Sequence, residues 1–381
     1  MRHPQHRLRG LQQKETKRLT TSIPRSRTAF CSISAQPDNL GDIAIRQAVI
    51  DLIDASGTPL CIYTGGMPAS YLQAFELPAS ARIITSQGRF LLAFLSACLR
   101  RRAHLVFAPG PFAARGGTNL LKSVASLANV IAARASGGVV VSLGRAIRGT
   151  NRADLAILRA TIKAMNLFVA RDSLTPSVVG LAVETAPDLA LHDIAEGGAR
   201  DRRYVVLSLR GDRPTNHALV AQVVEEAREA GLHPIFVTQV RRDETKHQEL
   251  ASQYGTEICS WTDESHSEQF TRIEAVYSQA HTVFSDRLHA IIFGLRYFAL
   301  PIAFRHSDAD KITPTLGHLI QLRVQQSDAA ALNGPLVDDA DSERARLESD
   351  VMSASQQLKE LFGRVASLLG AAEFHNGRGR S

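Results

Sequence analysis

The sequence predicts an α/β protein made of two Rossmann-like halves that face a cleft. Three observations carry that reading. Short apolar runs alternate with helical patterns along most of the chain, as in βαβ units and parallel sheets. The alternation runs through two sets, separated by a small, charged stretch at 196–203. Each run ends in a loop rich in glycine, proline or cations, where open parallel sheets place their ligands.

The elements follow in order. A strand is predicted at 29–34, a turn at Asn39-Leu40-Gly41-Asp42, and then a helix with Asp42 as its cap. Ile45, Val49, Leu52 and Ile53 share one face of that helix, and Gly57 and Pro59 end it. Further strands are expected at 60–64, 104–108 and 138–143, and 109–117 reads as a loop. The second set has strands at 204–209, 233–238, 282–284 and 301–304, the last taken as final, with helices at 216–230, 268–279 and 286–298. An amphipathic helix at 351–369 is free to fold back, ahead of a frayed tail at 370–381. The expected organisation is a basic tail at 1–28, an N-terminal Rossmann-like domain at 29–195, a C-terminal one at 203–325, and a helical segment and tail at 326–381. That arrangement is GT-B-like, with the site between the halves.

Composition sets bounds. A chain of 381 residues, 44% hydrophobic and 21% charged, can bury two ordinary cores. The net charge of +7 resides in residues 1–30, where eight Lys/Arg face a single Glu, while the other 351 residues carry 36 basic and 36 acidic side chains. The excess is thus a solvated leader, and no nucleic-acid partner is expected. The leader has no apolar run of the kind a secretory signal has. Cys31, Cys61, Cys98 and Cys259 lack metal-ligand spacing and lie in or beside apolar runs, which predicts buried thiols in a reducing compartment. The expected location is cytoplasmic, extending to the inner face of the cell membrane, and no metal is expected.

The candidate site rests on strand ends. Arg210 and Arg213 follow one strand, Gln239, Arg241 and Arg242 the next, Arg287 and His289 the third, and Arg305 and His306 the fourth. Four cationic strand ends and no carboxylate cluster point to a small, highly charged anion. In Ser285-Asp286-Arg287-Leu288-His289-Ala290, Ser285 is expected to cap a helix whose first N–H groups face an anion. Leu288, Ile291, Ile292 and Leu295 form its buried stripe, which directs Arg287 and His289 to the crevice. Arg287 offers a planar fork for phosphate or carboxylate, and His289 titrates near neutrality.

That segment, with Gly294 and Pro301 after it, resembles the signature of the polysaccharide pyruvyl transferase family. Asn39-Leu40-Gly41-Asp42, Arg171-Asp172-Ser173, Pro187-Asp188-Leu189-Ala190, Ser208-Leu209-Arg210 and Lys311-Ile312 before Leu316-Gly317 are similar to that family in the same order, over roughly residues 30–325. Two departures stand out: Pro109-Gly110-Pro111 replaces a glycine triplet, and Leu300 replaces a glycine before proline. The resemblance implies transfer of the pyruvyl group of phosphoenolpyruvate onto two sugar hydroxyls as a cyclic ketal, in exopolysaccharide or cell-envelope glycan synthesis. It also implies a glycan acceptor, lipid-linked and reached by peripheral contact with the membrane, and no cofactor beyond the donor. Within it Arg210 and Arg287 hold phosphate and carboxylate, and His289 shuttles a proton. Asp42 orients or deprotonates the acceptor, or simply caps its helix. Ser285, Asn39 and Arg171 complete the substrate-binding set, although Arg171 and Asp172 also read as a structural ion pair and Asp188 as a loop-stabilising residue. Two other readings stay open: a GT-B glycosyltransferase using a nucleotide sugar, and a non-catalytic anion-binding protein of the same fold.

Overall fold

The computed structural model describes residues 27–195, 201–306, 310–336 and 340–371. The N-terminal basic segment, most of the 196–203 stretch and the tail from 372 lie outside these residues.

Two all-parallel sheets form the frame. The first half contains β1 (Thr28–Ser32), α1 (Leu40–Ala55), β2 (Leu60–Tyr63), β3 (Arg82–Ile84), α3 (Gln87–Leu99), β4 (Ala103–Phe107), β5 (Gly110–Ala114), α4 (Thr118–Ala135), β6 (Val140–Gly149), α5 (Arg152–Ala164), β7 (Leu167–Ala170) and β8 (Glu184–Thr185), with short helices α2 (Ala69–Gln73) and α6 (Thr175–Val179) between. Its strands run in the order β3-β2-β1-β4-β6-β7-β8, with β5 paired alongside β6. Residues 110–114, expected to be loop, therefore extend the sheet beside Arg145–Gly149.

The second half holds β9 (Tyr204–Ser208), α7 (His217–Glu229), β10 (His233–Val237), α8 (Glu244–Tyr254), β11 (Glu257–Cys259), α9 (His266–Tyr277), β12 (Ala280–Ser285), α10 (Leu288–Leu295), β13 (Leu300–Arg305), α11 (Ile312–Leu316) and β14 (Arg323–Gln326), in strand order β11-β10-β9-β12-β13-β14. Pro301–Phe304 is thus not the last strand: β14 follows it and ends one residue past the expected domain boundary at 325. The central strands explain themselves. All six residues of β12 and four of the five in β9 are buried, as a parallel sheet covered on both faces requires.

A single apolar core spans both halves. It joins Ile43, Val49 and Ile53 of α1 to Ile291 and Leu295 of α10 and to Val351, Leu358 and Val365 of α12 (Ala340–Ala371). The amphipathic helix expected at 351–369 is thus the end of a longer one that does return across the first half. All four cysteines are free and buried, and burial pushes the Cys31 thiol up to about 12. No described helix is long and apolar enough to cross a membrane.

One buried histidine gives the fold a pH dependence. His104 in β4 is fully buried, and its Nδ1 accepts a hydrogen bond from the Val139 amide at 2.9 Å, so the ring is neutral. Burial, and then repulsion from Arg27, lower its pKa to about 4. The unfolded chain takes up this proton near pH 6.5. Stability present above that pH is therefore lost as pH falls from 6.5 towards 4. Urea unfolding at pH 7 and pH 5 should show a loss of about 2 kcal/mol from this residue, and His104→Asn should remove that part of the difference.

Candidate functional site

The strand orders set the position of the site. In the first sheet the order reverses between β1 and β4, and in the second between β9 and β12. Such reversals open a crevice beyond the strands' carboxyl ends. The chain leaving β1 leads to Asn39 and Asp42, while Arg210 follows β9 and Asp286-Arg287 follow β12. The two crevices face each other across a cavity of about 180 Å3, lined by Asn39, Asp42, Arg171, Arg210, Arg287 and His289 among others. Six of the seven sequence-predicted site residues thus meet in one place.

Ser285 is the exception. It is the last, fully buried residue of β12, and its hydroxyl donates to the Ser208 carbonyl. It also accepts from the Arg287 amide at 2.9 Å, so it shapes the turn and does not line the cavity. Arg287, not Ser285, stands at the N-cap of α10. A similar shift applies to α1. Asn39 caps it by accepting from the Gly41 amide at 3.2 Å, and its amide nitrogen donates to Asp42 Oδ2, also at 3.2 Å. Asp42 sits in the first turn and pairs with Arg46 at 3.1 Å, which removes it from the cap position.

His289 occupies the seam between the halves. A Cβ placed on Gly41 would stand 2.1 Å from the imidazole Nδ1, so the ring rests directly on the α1 backbone. Helix α10 is buried nearly all round rather than along one stripe, and His289 fills its contact with the other half. Its Nε2 lies 4.0 Å from Asp188 Oδ2 and has no hydrogen-bond partner among the described residues. Burial lowers its pKa, against the raising effect of Asp188. Burial thus favours the neutral ring at this seam.

The cations do not stand alone, contrary to the expectation of strand ends without a carboxylate cluster. Arg287 donates to the buried Asp243, whose Oδ1 also accepts from the Gly211 amide at 2.7 Å. Burial lowers the Arg287 pKa, and Asp243 opposes the shift. Arg210 forms a two-bond pair with Asp212 at 2.9 and 2.8 Å, and its own amide donates to Asp286 at 2.8 Å. Arg171 pairs with Asp188 at 2.8 Å, and Asp172 with Arg148 at 2.9 Å, so the two adjacent residues do not pair with each other. Asp188 also caps the turn Leu189–Leu191, as its loop-stabilising reading required.

Other strand-end residues divide. Arg241 stacks over Trp261 at 4.6 Å and serves the fold, and His306 lies 3.2 Å from Asp286. Arg242 and Lys311 line the cavity, and no ion pair is seen for either among the described residues. The Lys311 ammonium is held below the usual lysine range, first by loss of water and then by repulsion from Arg210, Arg171, Arg287 and Arg148. Five cations and two carboxylates, Asp42 and Asp286, line the cavity, which therefore favours an anion. Sequence reasoning missed Asp243 and the partnership of Asp188 with Arg171 and His289. Asp212, two residues from Arg210, was within reach of it. Among the described residues no group of three or more His, Cys, Asp or Glu side chains could hold a metal ion.

The fold is of a known kind. No family model matches the chain, and no curated protein matches its sequence. Solved structures do. The chain is similar to HepE from Anabaena, solved in complex with UDP, with 12% identity, a TM-score of 0.53, and coverage of 91% of this chain and 100% of that one. It is also similar to the UDP-GlcNAc 2-epimerase of Methanocaldococcus jannaschii, with 12% identity, a TM-score of 0.50, and coverage of 87% and 92% respectively. At such identity the likeness establishes the fold, two Rossmann-like domains in the GT-B-like arrangement.

The contact between Gly41 and His289 is testable. At an open helical position Gly→Ala stabilises by up to about 1 kcal/mol. Gly41→Ala should instead destabilise by about 1–3 kcal/mol, because it overpacks the seam. Adding His289→Ala should recover most of the loss. Urea midpoints of the two single variants and the double variant give the coupling, and a Gly41→Ala protein as stable as wild type would show that the ring does not rest there.

Proposed function

We propose that the cleft transfers the pyruvyl group of phosphoenolpyruvate onto sugar hydroxyls of a glycan as a cyclic ketal. The observation that carries this reading is convergence. Six chain segments that resemble the pyruvyl transferase family, scattered from Asn39 to Lys311, supply Asn39, Asp42, Arg171, Asp188, Arg210, Arg287, His289 and Lys311 to one cavity and the groups directly behind it. The cavity volume supports a compact donor, since sites that enclose drug-sized ligands measure roughly 300–1,000 Å3.

The reading divides the chemistry among these residues. Arg210 and Arg287 receive phosphate and carboxylate, each guanidinium oriented beforehand by its aspartate, and Lys311 and Arg242 add charge at the mouth. A proton from solvent adds to the enol carbon and leaves an oxocarbenium-like centre, which one sugar hydroxyl attacks. The C–O bond to phosphate then breaks, and a second hydroxyl closes the ring as its proton passes to the departing phosphate. His289, kept neutral by burial, takes the proton of the attacking hydroxyl, and Asp188 steadies the imidazolium that forms. Asp42, tied to Arg46, orients the acceptor on the first half's side.

A second reading has its own support. The solved neighbours include HepE in complex with UDP, and this likeness favours a nucleotide-sugar glycosyltransferase over pyruvyl transfer. Thermal unfolding separates the two. Phosphoenolpyruvate at about 100 times its Kd should stabilise the protein by about 2.7 kcal/mol, with UDP and UDP-sugars inert. The opposite pattern would overturn pyruvyl transfer.

Variants test the roles. His289→Ala should retain donor binding and lose phosphate release in the presence of extracted glycolipid acceptors. Arg287→Ala would leave Asp243 buried without its partner, at a cost of about 3–5 kcal/mol, so Arg210→Gln is the cleaner probe. It should weaken donor binding by about tenfold or more, equivalent to ~1.4 kcal/mol, as read by titration calorimetry.

A further inference from the structure

Charge is unevenly distributed within the first half. Between Glu76 and Asp154 the chain contains no Asp or Glu, yet it has eleven Lys/Arg. This stretch builds β3, α3, β4, β5, α4 and β6. Helices α3 and α4 lie side by side on one face of the sheet, with Phe94 and Cys98 of α3 and Val130 and Ala133 of α4 inside a shared core. Their outer surfaces are not polar. Leu92, Leu95 and Leu99 of α3 and Leu121, Val124 and Ile131 of α4 are all exposed, at 69, 39, 88, 70, 49 and 55%. The spacing of three, four and seven residues makes each set one outward stripe. Around the stripes Arg82, Arg89, Arg100, Arg115 and Lys122 are exposed, and no ion pair is seen for any of them among the described residues.

We propose that the α3–α4 face is a docking surface for an anionic phospholipid bilayer. Apolar side chains in stripes, rimmed by unpaired cations with no carboxylate among them, match a surface that is negative at the headgroups and apolar just beneath. Two other occupants fit the charge or the apolarity, but not both. A nucleic acid would neutralise the arginines and leave the leucines in water. A second copy of the chain would cover the leucines and set two cationic faces together. The chain also enters β1 beside this face, where Arg27 Nε donates to the Arg101 carbonyl at 3.4 Å, so the basic leader joins the fold at the cationic side. Helices α3 and α4 both begin at the carboxyl end of their sheet, the end that carries the cleft. A bilayer on this face therefore lies next to the first half's share of the site. The proposal does not depend on which donor the cleft takes.

Flotation of the full chain with lipid vesicles tests it. The protein should float with vesicles containing about 30% phosphatidylglycerol in phosphatidylcholine, and stay behind with phosphatidylcholine alone. Leu92→Ser with Leu99→Ser should lower partition at least tenfold while the melting temperature stays unchanged, because both side chains stand in solvent. Failure of the wild type to float would overturn the proposal. So would unaltered flotation of the double variant, which would assign binding to the leader or to charge alone. A lipid-free dimer that the double variant disperses would also overturn it, in favour of a second copy.

Discussion

The contact between the His289 imidazole and the backbone of Gly41 is the point on which the rest of the cleft depends. It brings the first turn of α1, in one half, against the first turn of α10, in the other. Only a residue without a side chain at position 41 permits that approach. Once the ring is seated, Asp188 lies near its free nitrogen, and Arg171 is held by the same carboxylate. Backbone pairing supports the seam nearby: Leu40 donates to the Gln239 carbonyl at 3.1 Å and Arg241 to the Asp38 carbonyl at 3.0 Å. The approach of the two halves is therefore fixed by short-range contacts at the site itself.

The pairing of the arginines changes how the cleft can handle an anion. A lone buried guanidinium would be costly and mobile, whereas one tied to a buried carboxylate keeps its fork in a fixed direction. Arg287 and Arg171 are held this way by Asp243 and Asp188, whose carboxylates are almost fully withdrawn from water. The pairs carry little net charge, so the positive character of the cavity rests on Lys311 and Arg242, for which no ion pair is seen among the described residues. The paired forks contribute electrostatic preorganisation rather than bulk charge.

Much of this was legible in the sequence, for identifiable reasons. Strands β9, β10, β12 and β13 are apolar runs long enough to stand out, and the cations after them follow from sheet topology alone. Several of the strands that escaped are short or polar. Gly110–Ala114 begins with Gly-Pro, Glu257–Cys259 has three residues, and Arg323–Gln326 is mostly polar, so each depends on a neighbouring strand rather than on its own pattern. The carboxylates behind the cations escaped for another reason. Asp243 lies 44 residues from Arg287, and no local pattern says which acid will reach which base. Composition misled once. The 36 basic and 36 acidic residues beyond position 30 balance only in sum, and the sum concealed a stretch of the first half with no acid at all.

Helix α12 gives the molecule a second connection between its halves. Leaving β14 of one sheet, the chain returns to pack on α1 beneath the other, and Arg364 pairs there with Glu184. The polypeptide thus crosses from half to half twice, once after residue 195 and once along α12, whose start packs on the second half, where Arg344 donates to the Phe298 carbonyl at 3.1 Å. Two crossings define an axis, as two hinges do for a door. Two connections restrict relative rotation of the halves more than a single tether would, and so help to hold the seam in register.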